Sequence, residues 1–308
     1  MRVLVVGGTG FLGRPVAELL TARGHRVTVL ARTPRPGTAL RTGDATRLTE
    51  DDWAELLADQ DGVVFAAGVD DRTVPPAPAA QHFHAGNVEP VRRLLIGARR
   101  AGVGRAVLHG SYFSALHRAH PELRLTRRHP YVASRVAQAV AARRAADGAL
   151  PVAVLEIPFV FGATPGRRPL WAPLVPWLRA GLPLAVPVGG TAVVTVDTVA
   201  ASTVEALEQG READLPIADD NLSWRALLTR FAAAAGRRTP PPLLPLPTGA
   251  LHALLGGAGL AHRLRGREPG LATAHLADLL TRELYLPRTG DGDLSAALRA
   301  TVRASRRS

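Results

Sequence analysis

Short apolar runs alternate with longer amphipathic segments through the first half of the chain. Five runs have the length and composition of buried strands: RVLVV at 2–6, RVTVL at 26–30, GVVFAA at 62–67, AVLH at 106–109 and PVAVLEI at 151–157. Helically spaced apolar residues lie between them, at 11–23, 88–100 and 131–146. Buried strands that alternate with helices form βαβ units, so this pattern predicts an α/β fold with a doubly wound parallel sheet and helices on both faces.

The pattern changes after Pro158. The segment at 159–181 is rich in proline, glycine and tryptophan, and a strand-then-helix pattern returns only at 191–210. A helix is predicted over 222–236 with Ser223 as its N-cap, whereas TPPPLLPLP at 239–247 is compatible with neither a helix nor a central strand. We therefore predict one domain at 1–157 and a smaller lobe at 158–308, some segments of which return to the first domain.

Composition excludes several classes of protein. The 308 residues include no cysteine, which excludes disulfides and thiolate metal sites. No apolar run reaches the length of a membrane span, and the opening MRVLVVGG lacks the layout of a signal peptide. The formal net charge is +12, but all 38 basic residues are scattered arginines without a nucleic-acid-binding motif. We expect a cytoplasmic protein with no nucleic-acid partner and no membrane partner.

The segment GGTGFLG at 7–13 follows the first predicted strand and opens the first predicted helix. Its G-x-x-G-x-x-G spacing, in this context, is typical of Rossmann folds that bind a dinucleotide. The first glycine permits a tight turn, the second lets a pyrophosphate approach the backbone, and the third lets the helix pack closely on the strand. The helix N-terminus adds amide donors and a positive dipole. The residues predicted to bind the cofactor here are Gly7, Thr9, Gly10, Phe11, Leu12 and Gly13.

The end of the second predicted strand indicates which dinucleotide binds. An acidic residue there accepts hydrogen bonds from a ribose 2′-hydroxyl, whereas an arginine suits a 2′-phosphate. The chain has LARTPR at this point, with Arg32 at the strand end and Thr33 and Arg35 behind it. This favours NADP as the cofactor, with NAD as the alternative.

A second set of motifs follows in a fixed order along the chain. YVASR at 131–135 puts a tyrosine and a basic residue four positions apart, on one face of a helix. The accompanying segments are GDATRLTE (43–50), VVFAAG (63–68), the stretch from Asn87 to Ser111, VLEIPFVFG (154–162) and VVTVDTVAASTVEAL (193–207). Together with the glycine loop they resemble the extended or atypical short-chain dehydrogenase/reductase family, in its NAD-dependent epimerase/dehydratase branch, over nearly the whole chain.

The resemblance implies roles for particular residues. Ser111 would position a substrate carbonyl or hydroxyl, and Tyr131 would exchange a proton while C4 of the nicotinamide exchanges hydride. It also implies that 1–157 binds NAD(P) and that 158–308 is mainly a substrate-binding lobe. A homodimer through helices around 88–101 and 131–146 is a further expectation from the family. The additional cofactor contacts that the resemblance implies are Asp44, Ala45, Ala66, Ala67, Gly68, Asn87 and Pro158.

The chain departs from the family at Arg135, where the family has a lysine that lowers the pKa of the tyrosine and holds the nicotinamide ribose. A guanidinium also favours phenolate, but it is planar, bulkier and permanently charged. We predict a modified but occupied site in an NAD(P)(H)-dependent oxidoreductase that acts on a carbonyl or alcohol of a small metabolite. Two alternatives stay open: a nucleotide-sugar-type epimerase or dehydratase with retained NAD, and a non-catalytic dinucleotide-binding sensor.

Four further polar residues remain ambiguous in the sequence. His82 and His84 flank a phenylalanine, and their spacing could suit a metal on a strand, but no carboxylate partner is evident and a surface role is favoured. His109 could be an extra acid or base, or a packed and hydrogen-bonded strand residue. Glu156 could meet an arginine or point at a cleft. No metal site is predicted.

Overall fold

The computed structural model describes residues 1–32 and 40–305, so Thr33 and Arg35 lie outside the described residues. The described residues form two compact units. Unit 1 contains those of Met1–Glu156, Val199–Leu215 and Arg267–Leu271, and unit 2 contains those of Ile157–Thr198, Pro216–Gly266 and Ala272–Ser308. The predicted roles of 1–157 and 158–308 stay predictions.

The strands are short, and most are buried along their whole length. In chain order they are β1 (Arg2–Val6), β2 (Arg26–Ala31), β3 (Leu40–Thr42), β4 (Gly62–Phe65), β5 (Ala106–His109), β6 (Val152–Glu156), β7 (Phe159–Phe161), β8 (Leu184–Val186), β9 (Gly190–Thr195), β10 (Ala213–Pro216), β11 (Asp220–Ser223), β12 (Leu243–Pro245) and β13 (Glu283–Leu284).

The helices are α1 (Gly13–Ala22), α2 (Glu50–Leu57), α3 (Ala79–Phe83), α4 (Glu89–Arg100), α5 (Phe113–Ala119), α6 (Leu125–Arg128), α7 (Pro130–Ala146), α8 (Leu174–Ala180), α9 (Val196–Glu208), α10 (Trp224–Ala234), α11 (Thr248–Leu264), α12 (Thr273–Leu280) and α13 (Leu294–Ala304). A turn of π-helix at His84–Val88 joins α3 to α4, and a 3₁₀ turn lies at Pro121–Leu123.

Unit 1 is built on a seven-stranded sheet of order β10-β6-β5-β4-β1-β2-β3. The pairs from β6 to β3 along this order are all parallel. The chain runs outward from β1 to β3 and then returns to place β4 on the other side of β1. This reversal creates a crevice at the carboxyl ends of β1 and β4, which is where such sheets bind ligands. The predicted α/β fold with a doubly wound parallel sheet is confirmed.

The core of unit 1 explains why the strands were readable from sequence. Val3, Leu4 and Val5 have no exposed surface, because helices cover the sheet and leave no position for a polar side chain. Helix α4 packs its apolar face on the sheet and against α2, whose Trp53 is fully buried. The packed sheet therefore gives rigid support to the strand ends, which carry the candidate site residues.

Unit 2 has its own smaller sheet, in which β9 lies between β11 and β13 and also pairs with β7. The predicted N-cap is present, since the Ser223 hydroxyl accepts from the Ala226 amide over 3.1 Å at the start of α10. The proline-rich segment at 239–247 contains a three-residue strand, β12, which pairs with β8 in a separate two-stranded sheet. Helices α11 and α12 follow it, and the periodicity of the sequence did not predict either of them.

Candidate active site

The glycine loop joins β1 to α1 with the geometry that its spacing predicts. Gly7 adopts a φ of 77°, and a Cβ there would lie 2.9 Å from the carbonyl oxygen of Ala66. A Cβ on Gly13 would lie 2.3 Å from the carbonyl oxygen of Gly7, so the first turn of α1 packs directly on the loop. The Gly10 amide donates to the Gly7 carbonyl over 2.8 Å and closes the turn.

The same loop leaves space for a ligand backbone. A Cβ on Gly10 would meet only one atom within 4 Å, the Gly7 carbonyl oxygen at 3.0 Å, so the loop is open on its other sides. Thr9, Phe11 and Leu12 are half-buried beside it, and no side chain caps the start of α1. A pyrophosphate suits this arrangement, because uncapped helix amides and close backbone approach both favour a bound anion.

The ends of β2 and β3 bring an arginine and a carboxylate together. Arg32 is exposed directly after β2, and Asp44 is half-buried after β3. Hydrogen bonds from the backbone and side chain of Thr46 lower the pKa of Asp44, and the positive charges of Arg32 and Arg47 lower it further. Asp44 is therefore ionised near Arg32, while Ala45 packs against the core beside it.

The end of β4 forms the other wall of the crevice. The Ala66 amide donates to the Val6 carbonyl over 2.9 Å, so Ala66 and Ala67 continue beside β1. Gly68 has a φ of 149°, and a Cβ there would lie 2.9 Å from Oδ1 of Asn87. Asn87 is fully buried in the π-helical turn. Its side-chain amide forms two hydrogen bonds with the backbone of Val69. Oδ1 accepts from the Val69 nitrogen over 2.8 Å, and Nδ2 donates to the Val69 carbonyl oxygen over 3.1 Å.

The two residues predicted to handle the substrate oxygen meet at the end of β5. Ser111 follows the strand and hydrogen-bonds the side chain of Tyr131 on the first turn of α7. The ring of Tyr131 is packed edge-on against Phe83 and Phe113, with centroids 5.6 and 6.2 Å away. Burial raises the pKa of Tyr131 above its ordinary value, and the nearby positive charge of Arg135 only partly opposes this. At neutral pH the side chain is therefore a phenol that can donate a proton.

Arg135 lies on the same face of α7 as Tyr131, and its guanidinium carbon is 5.7 Å from the Tyr131 ring centroid. Its Nη2 donates to the carbonyl oxygens of His109 and Gly110, each over 3.1 Å. Its Nη1 donates to Oε1 of Gln138 over 3.0 Å. The side chain is thus anchored to the end of β5, with its charge held beside the phenol.

Two neighbours of Tyr131 were missed by the sequence prediction. The carbonyl of Gly270 accepts from the Tyr131 amide over 3.0 Å, and a Cβ on Gly270 would lie 2.5 Å from the Phe83 ring. Asp71, in the loop after β4, is close enough to Tyr131 and Arg135 to interact electrostatically with both. Burial and the adjacent Asp70 raise the pKa of Asp71. No motif marks Gly270, whereas the acidic pair after a strand end was visible.

The structure also answers two questions that the sequence left open. Glu156 has no exposed surface and accepts from Arg118 over 2.7 Å, so it meets an arginine. His109 is packed within unit 1, with Nε2 at 2.9 Å from the Thr203 hydroxyl. Burial, followed by the charge of Arg135, lowers its pKa to about 3, so the ring is neutral.

Two other groups of candidates lie outside this set. His82 and His84 are exposed, on α3 and the following turn rather than on a strand. Within residues 1–32 and 40–305 no group of three or more metal-ligating side chains could hold an ion.

Pro158 belongs to unit 2, where it is buried after β6, and its predicted cofactor contact stays a prediction. The described part of the chain has no helix with the length and apolarity needed to cross a bilayer.

A parallel sheet with a glycine loop at its switch point, and a Ser–Tyr pair at the end of β5, defines a dinucleotide-dependent class of enzymes. Residues 3–214 match the model of the NAD dependent epimerase/dehydratase family. The chain belongs to this family, whose members are NAD(P)-dependent epimerases, dehydratases and reductases, and the predicted resemblance is confirmed.

Two relatives of the chain differ in how much of it they match. The human epimerase family protein SDR39U1 is 62% identical over 58 residues, which are 19% of this chain and 16% of that protein, so the match spans a small part of its length. A 3-diazoavenalumate denitrifying reductase of a Streptomyces species is 30% identical over 283 residues, 83% of this chain and 88% of that protein.

Solved structures share the fold at low identity. The human SDR39U1 structure with NADPH has a TM-score of 0.66 and 21% identity over 98% of this chain and 99% of its own. The Bordetella bronchiseptica enzyme WbmH with NAD+ has a TM-score of 0.71 and 16% identity over 99% and 98%. Identities at this level establish the common fold, and the bound dinucleotides are those of the other proteins.

Proposed function

We propose that the protein is an NADP(H)-dependent oxidoreductase that reduces a carbonyl group of a small metabolite. The observation that carries this proposal is the hydrogen-bonded pair of Ser111 and Tyr131, in which Tyr131 is kept as a phenol by burial. A phenol is the form that a carbonyl reduction requires, because the developing alkoxide must receive a proton.

The glycine loop supports dinucleotide binding. Gly7, Gly10 and Gly13 would take the pyrophosphate on backbone amides, where side chains would collide or block the approach. Arg32 would hold a ribose 2′-phosphate at the end of β2, which is the reason for preferring NADP to NAD. Ala66, Ala67, Gly68 and Asn87 would line the other wall of the crevice, and Asp44 and Ala45 would lie towards the adenine.

The proposed reaction divides into a hydride and a proton. When bound, the reduced nicotinamide would supply the hydride to the carbonyl carbon. Tyr131 would donate its phenolic proton to the carbonyl oxygen, and Ser111 would hold that oxygen with its own hydroxyl. The positive charge of Arg135 would stabilise the phenolate left on Tyr131 until solvent returns a proton.

Arg135 is proposed to act through its charge and its anchoring rather than through the ribose. The guanidinium directs three hydrogen bonds to His109, Gly110 and Gln138. Those bonds direct Nη1 and Nη2 to protein acceptors, while the buried Nε finds no hydrogen-bond acceptor among the described residues. The domain at 158–308, with Pro158, is proposed to contribute the substrate side, and a homodimer in the cytoplasm is the proposed setting.

One observation favours a second candidate, a non-catalytic dinucleotide-binding sensor. The bonds from Arg135 to His109, Gly110 and Gln138 turn Nη1 and Nη2 towards the protein, whereas the family lysine at this position holds the nicotinamide ribose. In an epimerase or dehydratase, the bound cofactor is reduced and reoxidised within one turnover. Such an enzyme would instead retain NAD through purification.

The experiment that separates these functions starts with the cofactor. The purified protein is denatured, the released dinucleotide is identified, and NADPH and NADH are titrated into cofactor-free protein. Preference for NADPH, with oxidation of NADPH on a panel of aldehydes and ketones, supports the reductase. Retained NAD directs the proposal to epimerisation or dehydration, tight binding without turnover favours the sensor, and binding of neither dinucleotide contradicts all three.

A further inference from the structure

Helix α11 presents an apolar face to solvent. Leu254, Leu260 and Leu264 are 66%, 54% and 80% exposed, and they lie on one side of the helix. The residues between them on this side are small, namely Ala250, Ala253 and Gly257, and all three are exposed. We refer to these six residues as the exposed α11 face. A surface helix ordinarily carries polar residues at such positions.

The opposite side of α11 is held within unit 2, so the orientation of the helix is determined. Leu251 and Gly259 are buried, and a Cβ on Gly259 would lie 2.2 Å from the hydroxyl of Thr273 on α12. The close approach between α11 and α12 therefore keeps the leucines on the outer side. Among the eight large hydrophobic side chains that are most exposed in the described residues, seven lie between 177 and 264.

The sequence segment that contains α11 is also depleted in negative charge, although Asp278 of the neighbouring α12 lies 3.6 Å from His252 on α11. Residues 221–267 contain seven arginines and no aspartate or glutamate, whereas an even spread of the chain's 26 acidic residues would place about four there. The arginines are not enriched, so the positive charge arises from the missing acids rather than from the arginine-rich composition. Arg263 and Arg265, at the end of α11, are exposed and form no ion pair within the described part of the chain.

We propose that the exposed α11 face docks onto the surface of an anionic phospholipid bilayer. An interfacial helix buries an apolar side at the level of the headgroups, and basic residues near it are attracted to anionic lipids. The leucines supply the apolar side, and Arg263 and Arg265, within a segment that has no acidic residue from 221 to 267, supply the attraction. A second copy of the chain is disfavoured as the occupant, because it would bring two acid-free, arginine-bearing segments together.

This docking requires no spanning segment. Helix α11 lies along the surface and covers it with one side, while α12 stays attached to the other. The sequence-based expectation of no membrane partner depended on the lack of a spanning run, and the proposal revises it for reversible surface binding. It is independent of the proposed reaction, since none of these residues belongs to the candidate active site.

The test is flotation of the full-length protein with lipid vesicles. Vesicles of roughly four parts phosphatidylcholine and one part phosphatidylglycerol are compared with phosphatidylcholine alone, at low and at high salt. We expect binding to the anionic vesicles only, weakened by salt. The variant Leu254→Asn/Leu260→Asn/Leu264→Asn should lose at least about tenfold in affinity. Arg263→Gln/Arg265→Gln should lose about three- to tenfold and depend less on salt.

Controls make either outcome decisive. Val140→Asn changes an exposed apolar residue of α7, 44% exposed, and should leave vesicle binding unchanged. Dinucleotide titration and thermal unfolding verify that each variant folds, and Leu264→Asn alone, at the most exposed position, replaces the triple variant if the latter unfolds. Equal flotation of wild type and leucine variants overturns the proposal. Failure of the wild type to float with anionic vesicles also overturns the proposal. If ultracentrifugation then shows a dimer that the leucine substitutions dissociate, the exposed α11 face is assigned to a second copy of the chain.

Discussion

The guanidinium of Arg135 donates through Nη2 to the carbonyl oxygen of Gly110 over 3.1 Å. This bond, with its counterpart to His109, ties the second turn of α7 to the end of β5 directly before Ser111. The arginine therefore stabilises the strand end that positions the serine, in addition to placing a charge beside Tyr131. A lysine could place the charge but has no planar fork to reach both carbonyls and Gln138 together.

Replacing Arg135 by lysine should separate these two contributions. We expect Arg135→Lys to lower the free energy of unfolding by about 2 kcal/mol, because buried carbonyl acceptors lose a charged donor. Arg144→Lys, on the exposed side of α7, is the matched control and should cost nothing measurable. Urea unfolding followed by circular dichroism measures both. Equal stability of the two variants would show that the bonds to β5 contribute little.

Removing the hydroxyl of Tyr131 should abolish proton transfer and leave cofactor binding intact. Tyr131→Phe is expected to lower the rate of carbonyl reduction by about 10²–10⁴-fold, the usual contribution of a positioned acid. The dissociation constant for NADPH should not change, and Tyr285→Phe should behave as wild type. The comparison requires steady-state rates and a fluorescence titration on the same preparations. Full activity in Tyr131→Phe would contradict the proposed mechanism.

Buried His109 should make the protein less stable in acid. Its pKa is about 3 in the folded chain, mainly through burial, against 6.5 in the unfolded chain. The unfolded state binds the proton first as the pH falls, so the stabilisation present above pH 6.5 is lost progressively down to about pH 3.

The loss of stabilisation from His109 between pH 7 and pH 5 is about 2 kcal/mol. His109→Gln cannot take up that proton, so its free energy of unfolding should fall less between these two conditions. His252→Gln, an exposed histidine, controls for general effects of histidine removal. Parallel stability curves for wild type and His109→Gln would show that the ring is protonated in the folded state.

The glycine loop should tolerate no side chain at its third glycine. Gly13→Ala brings a methyl group to 2.3 Å from the Gly7 carbonyl oxygen, so the turn or the helix must move. We expect a loss of about 1–3 kcal/mol of stability and weaker binding of either dinucleotide. Gly256→Ala, where a Cβ meets nothing within 4 Å, should be neutral or slightly stabilising. Thermal unfolding and cofactor titration test both; unaltered affinity in Gly13→Ala would remove the loop from the cofactor site.

Arg32 should decide the choice between the two dinucleotides. Arg32→Ala is expected to raise the dissociation constant for NADPH about tenfold, since one charge-assisted bond to the 2′-phosphate is lost at an exposed position. NADH affinity should stay constant. Arg26→Ala removes an exposed arginine from the opposite end of β2 and should affect neither cofactor. A parallel loss of NADH affinity would point to a general electrostatic effect.

Local patterns in the sequence determined the sheet, the glycine loop and the order of the active-site motifs. Strand β1 is readable because burial on both faces makes it a continuous apolar run, and helix α4 is readable because burial of one face imposes a helical periodicity. The spacing of Gly7, Gly10 and Gly13 is equally local. Helix α11 escaped this kind of prediction because it is apolar on its outer side as well, which erases the amphipathic signal.

Only the tertiary structure decided which groups these residues meet. Arg135 finds the carbonyls of His109 and Gly110, Glu156 finds Arg118, and Tyr131 receives its backbone support from Gly270, far along the chain. Hydrogen bonds and charge interactions depend on separations of a few ångströms between residues distant in sequence. The spacing of residues along the sequence does not determine those separations. The sequence therefore identified the candidate residues, and the fold determined their partners and their protonation states.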